Sequence, residues 1–458
     1  MAKAKSKKIT IEDALVPVEE QLYQIPDNWC WTTLDVVADY KKGPFGSAIT
    51  KAMFVPKGPD TYKVYEQGNA IRKTIDYGEY YISAEKYEEL KGFEVHSGDL
   101  IVSCAGTIGE TFQLPENIER GVINQALMRV KVSEKVELRY YLYYFDEMLR
   151  QDITGNSKGS AMKNIPPFAV LKKFPFPLPP LSEQKRIVEQ IENLFAKLDE
   201  AREKVQSAIE GYEHRRLMIL YKAFSGELTE KWRNENSVEI TSWKRKSLKD
   251  CSTALGDGLH GTPLYDEDGD YYFVNGNNFD YDHIEIRSDT KRVNESEYKK
   301  HFIELTDKTV FVSINGTLGK TAFYDGEPVI LGKSACYVNT SDELYKFYLR
   351  YFFNTKKFID YANEMATGST IKNLGLKAMR SLEINLPSIE EQKEIVRILD
   401  VILEKEENSK ELAEQVIDSI DMLKKSVLAK AFRGELGTNI PEEESSIELL
   451  KKMIEEGY

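Results

Sequence analysis

Apolar residues recur at alternating steps of four and three along two stretches of this chain. In the first stretch the apolar positions are Ile187, Ile191, Leu194, Leu198, Ala201, Val205, Ala208 and Tyr212. The same register starts again at Ile395 and continues to Val427, with polar residues at Glu406 and Ser409. Steps of four and three describe the a/d seam of a coiled coil. The pattern therefore predicts two long helices, over about 181–221 and 389–430, that pair with each other.

Boundary signals flank both predicted helices. Pro179–Pro180 and Pro387–Ser388 precede them, and the glutamates that follow suit the positive end of a helix dipole. Gly226 and Gly434 stand where a C-terminal capping glycine belongs. At 1.5 Å per residue, each helix should be about 60 Å long.

The two helices belong to a larger internal repeat. ILYKAFSGEL (219–228) recurs as VLAKAFRGEL (427–436), and LPPLSEQKRIV (178–188) recurs as LPSIEEQKEIV (386–396), both at an offset of 208 residues. VSCAGTIGET (102–111) recurs as VSINGTLGKT (312–321) at an offset of 210. Matches in the same order along the whole length indicate a duplicated unit, in which a globular domain is followed by a helix.

The globular part of each repeat has a different pattern. Short apolar runs such as GDLIVS and TVFVSI alternate with Gly and Asn, which predicts short strands and tight turns. Two patches, 138–152 and 344–363, predict helices. We therefore predict a mixed α/β (α+β) fold with two similar globular domains, each followed by a long helix, and the two helices packed on each other.

The same patterns divide the chain into segments. The predicted segments are an N-terminal extension (1–25), a first globular domain (26–180), a central helical region (181–239), a second globular domain (240–388), a distal helical region (389–436), and an acidic C-terminal tail with a short helix (437–458).

Composition and charge narrow the class of protein. The chain has 458 residues, 41% of them hydrophobic and 30% charged, as in a globular protein. No run approaches the roughly 18 apolar residues of a membrane span, and the four cysteines form no CxxC pair. These features favour a cytoplasmic protein without a disulfide framework or a membrane segment. Of the net charge of −13, residues 400–418 and 437–458 carry most, so net charge does not exclude DNA binding.

We find no catalytic, metal or cofactor motif. GTLGKT (316–321) resembles a phosphate-binding loop, but Ile314 stands where that motif needs glycine, and the other repeat has Glu110 where it needs lysine. A glycine turn between two strands is the preferred interpretation. The five histidines form no metal-ligand pair, so no metal site is expected.

Two loops and two turns display polar groups suited to DNA. Residues 155–173 carry four lysines and no acid, and residues 366–380 carry three basic residues and no acid. Lysines and amides suit phosphates and base edges, although a solvated loop or plain turn chemistry explains the same residues. The candidate DNA-binding residues are Gln67, Asn69, Arg72, Lys158, Ser160, Lys163, Asn164, Asn275, Asn277, Asn278, Ser369, Lys372, Asn373 and Lys377.

The repeated helix motifs resemble those of the specificity (S) subunit of Type I restriction–modification enzymes. Both helices open with LPPLSEQKRIV or LPSIEEQKEIV and close with KAFSGEL or KAFRGEL. IPDNW (25–29) resembles the start of that family's first target-recognition domain, and GELTEKWRN (226–234) resembles the end of its central conserved region. After the second GEL this chain departs from the pattern and continues with GTNIPEEESS.

The resemblance implies a non-catalytic reader of double-stranded DNA. In that family each recognition domain binds one half of a bipartite, asymmetric target, and the two long helices form an antiparallel coiled coil that acts as a spacer. The implied partners are two methyltransferase (M) subunits, which hold S-adenosylmethionine and methylate adenine N6, and restriction (R) subunits that use ATP and Mg²⁺. None of these cofactors is expected in this chain.

Two alternatives come from other classes of protein. A fused methyltransferase–recognition polypeptide needs an FxGxG loop and a [DNS]PP[FY] motif, and neither is present. A coiled-coil scaffold whose globular domains bind protein predicts no salt-sensitive DNA binding by any complex that contains the chain.

Overall fold

The computed structural model describes residues 9–155, 167–368 and 371–455. The chain divides into two compact units, one formed by Met1–Arg202 with Asp418–Tyr458 and the other by Glu203–Ile417. The division crosses both long helices. Each unit therefore contains one copy of the repeated domain together with part of each helix.

The first unit combines short strands with mostly short helices. Its strands are β1 (Cys30–Thr33), β2 (Ala38–Lys42), β3 (Thr61–Tyr65), β4 (Tyr81–Ser83), β5 (Glu94–Val95), β6 (Leu100–Ser103), β7 (Thr111–Gln113), β8 (Gly121–Ile123), β9 (Leu127–Val132) and β10 (Pro175–Leu178). Its helices are α1 (Ile11–Ala14), α2 (Leu34–Val37), α3 (Gln67–Arg72), α4 (Ala84–Glu89), α5 (Leu138–Gly155), α6 (Phe168–Leu171) and the start of α7 (Leu181–Ser225).

The second unit repeats this arrangement. After α8 (Glu230–Asn236), its strands are β11 (Lys244–Ser247), β12 (Ser252–Asp257), β13 (Tyr271–Val274), β14 (Phe279–Asp280), β15 (His283–Ile284), β16 (Arg292–Val293), β17 (Thr309–Ser313), β18 (Thr321–Phe323), β19 (Val329–Leu331), β20 (Ala335–Thr340) and β21 (Glu383–Leu386). Its further helices are α9 (Glu295–Lys300), α10 (Lys346–Phe353), α11 (Lys356–Met365), α12 (Leu376–Ser381) and most of α13 (Ile389–Phe432). The last helix of the chain, α14 (Ser446–Glu455), lies in the first unit.

Sheet topology confirms the predicted duplication. In the first unit one sheet has the order β2-β9-β6-β7 and another has the order β4-β3-β8-β5, and in the second unit the corresponding orders are β12-β20-β17-β18 and β16-β13-β19. β3 pairs in parallel with β8, and β13 pairs in parallel with β19, while the other strand pairs are antiparallel. In both units an antiparallel pair (β1-β10 or β11-β21) leads into a long helix.

The phenylalanine of each KAF motif packs the end of one long helix against a domain core. In the second unit, Phe224 near the end of α7 packs against Tyr348 and Phe352 of α10, with ring centroids 4.8 and 5.5 Å away. In the first unit, Phe432 at the end of α13 packs on Tyr140 and Tyr144 at 5.7 and 5.0 Å. Burying such rings is among the larger hydrophobic contributions that a side chain makes.

The long helices run antiparallel within each unit, as predicted. In the first unit, Asp199 and Arg202 of α7 form ion pairs with Lys424 and Asp421 of α13, so the numbers rise along one helix as they fall along the other. The helices contain 45 and 44 residues, which corresponds to about 67 Å at 1.5 Å per residue.

Glu406, a polar residue within the predicted apolar seam, is paired with a residue of the other helix. In the second unit, Arg215 Nε of α7 donates to Glu406 Oε2 at 2.7 Å, and the Tyr212 hydroxyl donates to Glu407. The seam is therefore completed by a charged pair at this level rather than by apolar contact. The predicted capping glycines Gly226 and Gly434 have φ values of 89° and 72°, in the left-handed region that glycine adopts without a steric cost.

One predicted helix is divided in two. The patch 344–363 forms α10 and α11, because Thr355 between them accepts a hydrogen bond from Phe358 N–H at 3.2 Å and caps a new helix. Side-chain capping of this kind starts a helix and competes with its continuation from the previous one.

Candidate nucleic-acid interface

Several strands of the first unit end at one edge of its sheets. Gly43 N–H after β2 donates to the Leu127 carbonyl at 2.9 Å, and Cys104 N–H after β6 donates to the Ala126 carbonyl at 2.9 Å. Asn124 N–H also donates to the carbonyl of Tyr65, the last residue of β3, at 3.0 Å. We call segments 42–49, 66–68, 104–109 and 124–126, which these bonds bring together, the loop edge of the first unit.

The second unit has an equivalent loop edge. Gly258 N–H donates to the Ala335 carbonyl at 3.0 Å, Ile314 N–H to the Ser334 carbonyl at 3.0 Å, and Gly332 N–H to the Val274 carbonyl at 2.8 Å. Segments 257–266, 275–277, 314–319 and 332–334 form this edge. Segment 371–374 joins it, because Gly316 N–H donates to the Lys372 carbonyl at 2.9 Å and Leu374 N–H donates to the Ile314 carbonyl at 2.8 Å.

Glycine is required where the second strand of each repeat leaves its sheet. A Cβ on Gly43 would lie 1.8 Å from the Asn124 carbonyl oxygen, and a Cβ on Gly258 would lie 2.3 Å from Leu331 and Gly332 backbone atoms. Backbone cannot yield at such distances, so both loops are held against the neighbouring turn. Each unit therefore has the same backbone arrangement at its own loop edge.

The repeated GTIG and GTLG segments are glycine turns, as preferred from the sequence. Both connect antiparallel strands, β6 to β7 and β17 to β18. Gly106 and Gly109 have φ values of 67° and 84°, and Gly316 and Gly319 have φ values of 76° and 86°. These positive values are what glycine contributes to the turn. In the first unit Lys73 Nζ ties its turn to the end of α3 through Glu110, at 2.6 Å.

Two of the predicted DNA-binding residues, Asn69 and Asn278, occupy equivalent positions inside the two domains. Asn69 is fully buried, and its Oδ1 accepts from Glu66 N–H at 2.8 Å while its Nδ2 donates to the Thr74 and Tyr77 carbonyls at 3.0 Å. Asn278 Oδ1 likewise accepts from the backbone N–H three residues earlier, at 3.0 Å, and its Nδ2 donates to a downstream carbonyl. These bonds favour turn construction over base contact for both residues.

Gln67 and Arg72 belong to α3, whose start lies at the loop edge. The Gln67 amide nitrogen donates to the Ala105 carbonyl in the glycine turn, which brings the two segments together. Arg72 is exposed and its guanidinium lies 4.7 Å from the centre of the Tyr77 ring. Burial raises the pKa of Glu66, the residue that caps α3, against the opposing influence of Lys63.

At the second loop edge, two candidate asparagines differ in their freedom. Asn275 Oδ1 accepts from Ser334 Oγ at 3.1 Å, and Ser334 Oγ also accepts from Gly276 N–H at 3.0 Å. Asn277 is exposed, and its carbonyl accepts from Arg287 at 3.3 Å. Asn277 is therefore the better placed of the two to meet a ligand.

The structure places three candidates of the second basic loop. Lys372 and Asn373 are exposed at the loop edge, where the Asn373 backbone pairs with Thr367 at 2.9 and 3.0 Å. Lys372 Nζ donates to Asn363 Oδ1. Lys377 is exposed on α12, and in the described chain no hydrogen bond links it to the loop edge. Lys158, Ser160, Lys163, Asn164 and Ser369 lie outside the described residues.

Sequence reasoning missed a third basic segment, which runs from Lys41 to Lys57. It holds four lysines and no acid, a signal as strong as that of the two loops singled out above. Lys42 and Phe45 are both exposed at the loop edge. Burial raises the pKa of the Cys104 thiol to about 12, while the nearby charge of Lys42 opposes the shift. A count of acid-free basic windows along the chain would have found this segment.

The titratable groups show no prepared nucleophile or metal site in the described ranges. All four cysteines are buried and unpaired, and burial raises the pKa of Cys30 to about 12 and of Cys251 to about 11, so these thiols stay protonated at neutral pH. Residues 9–155, 167–368 and 371–455 bring together no group of three or more His, Cys, Asp or Glu that could hold a metal ion. Among the helices of these ranges, none has the length and apolar character needed to cross a membrane.

Comparison with known proteins agrees with this architecture. The family model described as the Type I restriction modification DNA specificity domain matches residues 27–210 and again residues 241–417. The EcoBI specificity subunit of Escherichia coli is 24% identical over 366 residues, covering 76% of this chain and 75% of that protein. The EcoKI specificity subunit of Escherichia coli K12 is 26% identical over 319 residues, covering 66% and 67%.

Solved structures share the fold. A structure from work on complex assembly and conformational transition of the type I R-M system matches with a TM-score of 0.62 at 19% identity, over 90% of this chain and 100% of that one. The HsdS subunit from Thermoanaerobacter tengcongensis matches with a TM-score of 0.59 at 18% identity, over 91% and 100%. Because the family model covers well over half of the residues, in two copies that coincide with the two repeats, the chain belongs to the family of Type I restriction–modification specificity subunits.

Proposed function

We propose that this chain recognises a bipartite, asymmetric sequence in double-stranded DNA, with each unit reading one half through its loop edge. The observation that carries the proposal is the contrast between the backbone that the two loop edges share and the exposed residues in which they differ. The backbone hydrogen bonds that build the two edges are equivalent, while the exposed residues on them differ: Lys42 and Phe45 in one unit, and Asn277, Lys333 and Lys372 in the other. Two domains with the same backbone but different exposed residues suit the recognition of two different DNA sequences.

The family also suggests the partners. We propose that two methyltransferase subunits and the restriction subunits assemble on this chain, and that adenine N6 methylation and ATP-dependent cleavage take place in those partners. S-adenosylmethionine, ATP and Mg²⁺ then bind the partner subunits and not this chain. Membership of the specificity-subunit family, whose model matches this chain twice, supports a non-catalytic role.

Methylome sequencing of cells with and without this chain tests the proposal. The partner subunits must be expressed in both strains. A split adenine-methylated motif should be present with the chain and absent without it. Loss of no such motif would contradict the proposal and favour a protein scaffold.

A domain exchange tests whether each unit reads one half. Replacing residues 26–180 with the first domain of another family member should change one half of the methylated motif and leave the other half unchanged. The reciprocal exchange of residues 240–388 is the matched control and should alter the other half. A change in both halves after a single exchange would refute modular reading.

Salt dependence tests which lysines meet phosphates. Lys42→Ala and Lys372→Ala, made in the complex with its methyltransferase partners, should each lower the magnitude of the slope of log K against log salt by about 0.9. The same expectation holds for Lys158, Lys163 and Lys377. Lys299→Ala is a suitable control, since Lys299 lies on α9 and pairs with Glu295 at 2.7 Å. Slopes equal to that of the control would show that these lysines are solvated.

A further inference from the structure

We propose that the ring of Phe45 inserts between two base pairs of the half-site bound by the first unit and acts as an apolar wedge. This inference rests on the proposed function, because it requires the loop edge of the first unit to face DNA. It adds a contact that differs in kind from the polar ones, since a wedge unstacks bases instead of reading their edges.

The first observation is how far the ring stands out from the domain. Phe45 is 89% exposed, the highest value among the large hydrophobic residues in the described part of the chain. A single exposed apolar residue is by itself common on a protein surface. Here a whole aromatic ring projects from a functional edge, and only a partner that covers both of its faces would recover the hydrophobic free energy of the ring.

The second observation is that the loop holding the ring is fixed at both ends. On one side, Gly43 is hydrogen-bonded to Leu127 and lies against the Asn124 backbone. On the other side, Ala48 N–H donates to the Phe45 carbonyl at 2.8 Å, and Ile49 is only 5% exposed. The loop that carries the ring is therefore ordered before any partner binds, which lowers the entropy lost on insertion.

The third observation is the charge of the segment that holds the ring, which favours DNA over a protein partner. The segment from Lys41 to Lys57 carries four lysines and no acid, and of these Lys57 pairs with Glu119 at 2.8 Å. The equivalent loop of the second unit, 257–270, carries five acids and neither lysine nor arginine, and its exposed side chains Leu264 and Tyr265 lie next to the acidic run 266–270. An apolar tip among cations matches a base step flanked by phosphates. The wedge is therefore a property of the first unit.

Base-stacking fluorescence provides the test. The complex of this chain with its methyltransferase subunits is mixed with duplexes that carry the methylated motif and a single 2-aminopurine, moved one position at a time through the first half-site. The wild-type complex should raise the fluorescence at one base step that does not include the methylated adenine, since a methyltransferase flips its target base with or without a wedge. Phe45→Ala should abolish that rise and weaken binding about tenfold, in the range of one base–aromatic stack. Phe45→Trp should preserve both properties.

A matched control removes another exposed apolar side chain. Val18 is 81% exposed and lies beside the acidic residues Glu19 and Glu20. Val18→Ala should change neither the fluorescence nor the affinity. Because Phe45 and Val18 are both nearly fully exposed, neither substitution removes core packing.

The outcomes separate the wedge from the proposed function. If the wild-type complex shows no sequence-specific binding, the proposed function fails. If wild-type binding is specific and Phe45→Ala matches it in affinity and fluorescence, the wedge is refuted and the proposed function stands. If Phe45→Ala impairs assembly with the methyltransferase but the assembled complex binds DNA normally, the ring is a protein contact and the wedge is again refuted.

Discussion

The beginnings of the two long helices hold the same residue in two different electrostatic settings. Glu183 in α7 and Glu391 in α13 are both fully buried. Each accepts a hydrogen bond from a tryptophan indole, from Trp29 at 2.7 Å in the first unit and from Trp243 at 2.9 Å in the second. The glutamine that follows each of them is also buried and bonded to backbone groups. The EQ pair of the repeated motif thus joins each helix to its own domain.

The remaining partners of the two glutamates differ. Glu391 accepts from the Thr229 hydroxyl and from the Arg233 guanidinium, each at 2.7 Å, so it is half of a buried ion pair. Glu183 accepts from the Thr438 hydroxyl at 3.3 Å and from the Asn439 amide at 2.9 Å, both neutral. The departure from the family pattern after the second GEL is therefore compensated, because Thr438 and Asn439 occupy the roles of Thr229 and Arg233. At both sites the glutamate accepts from an indole and a hydroxyl, while the first site has a neutral amide where the second has a guanidinium.

The largest loss of stability should follow from removing the negative charge of Glu391. Glu391→Gln leaves the Arg233 charge buried without a counter-charge, because the Arg233 side chain is only 8% exposed. We expect the second unit to lose about 3 kcal/mol or more of unfolding free energy. Urea denaturation measures the loss, and hydrogen exchange assigns it to the second unit.

A double substitution makes the comparison sharper. Replacing both members of the pair, as in Arg233→Met with Glu391→Leu, removes the unpaired charge and should recover part of the lost stability. A double variant that is as unstable as the sum of the two single variants would show that the charge itself is not the cause.

The same substitution at Glu183, whose hydrogen-bond partners are neutral, should cost less stability. Glu183→Gln keeps an acceptor for Trp29 and leaves no buried cation, so its cost should be at most about 1 kcal/mol. A loss equal to that of Glu391→Gln would contradict the distinction between the two sites.

The two sites should also differ in their response to pH. Burial raises the pKa of Glu183 above its ordinary value of 4.5, so the folded first unit holds this proton more tightly than the unfolded chain does. The associated stability is fully present below pH 4.5 and is lost as the pH rises through the raised pKa. Glu183→Gln should therefore improve relative to wild type as the pH rises from acidic to neutral. Melting temperatures across a pH series test this, and a constant difference would disprove it.

The smallest effects belong to the ion pairs between the helices. Arg215 with Glu406 and Arg202 with Asp421 are partly exposed, so Glu406→Ala and Asp421→Ala should each cost less than about 1 kcal/mol. High salt should remove most of that cost, because solvent ions screen exposed pairs. A cost that persists in salt would show that packing, not charge, matters at these positions.

The elements whose signals are local or repeated could be predicted from the sequence alone. The a/d spacing predicted both long helices, the glycines at 226 and 434 predicted their ends, and the offset of 208 residues predicted two copies of one domain. The glycine turns were also predictable, since the lack of a side chain limits where such turns form. Each of these follows from residues that are neighbours in the chain, or from comparing one half of the chain with the other.

Which distant segments meet could not be predicted from the sequence, because it depends on the folded chain. Trp29, Glu183 and Asn439 come from three separate parts of the first unit, and spacing along the chain gives no sign that they share one buried site. Asn69 and Asn278 lie in turns whose residues suit base recognition, yet their side-chain amides donate hydrogen bonds to backbone carbonyls. The exposure of Phe45 depends on what fails to cover it, and the packing of the whole domain sets that coverage. Burial and long-range hydrogen bonding are properties of the folded chain, so a sequence pattern predicts the helices and strands more reliably than the surface they present.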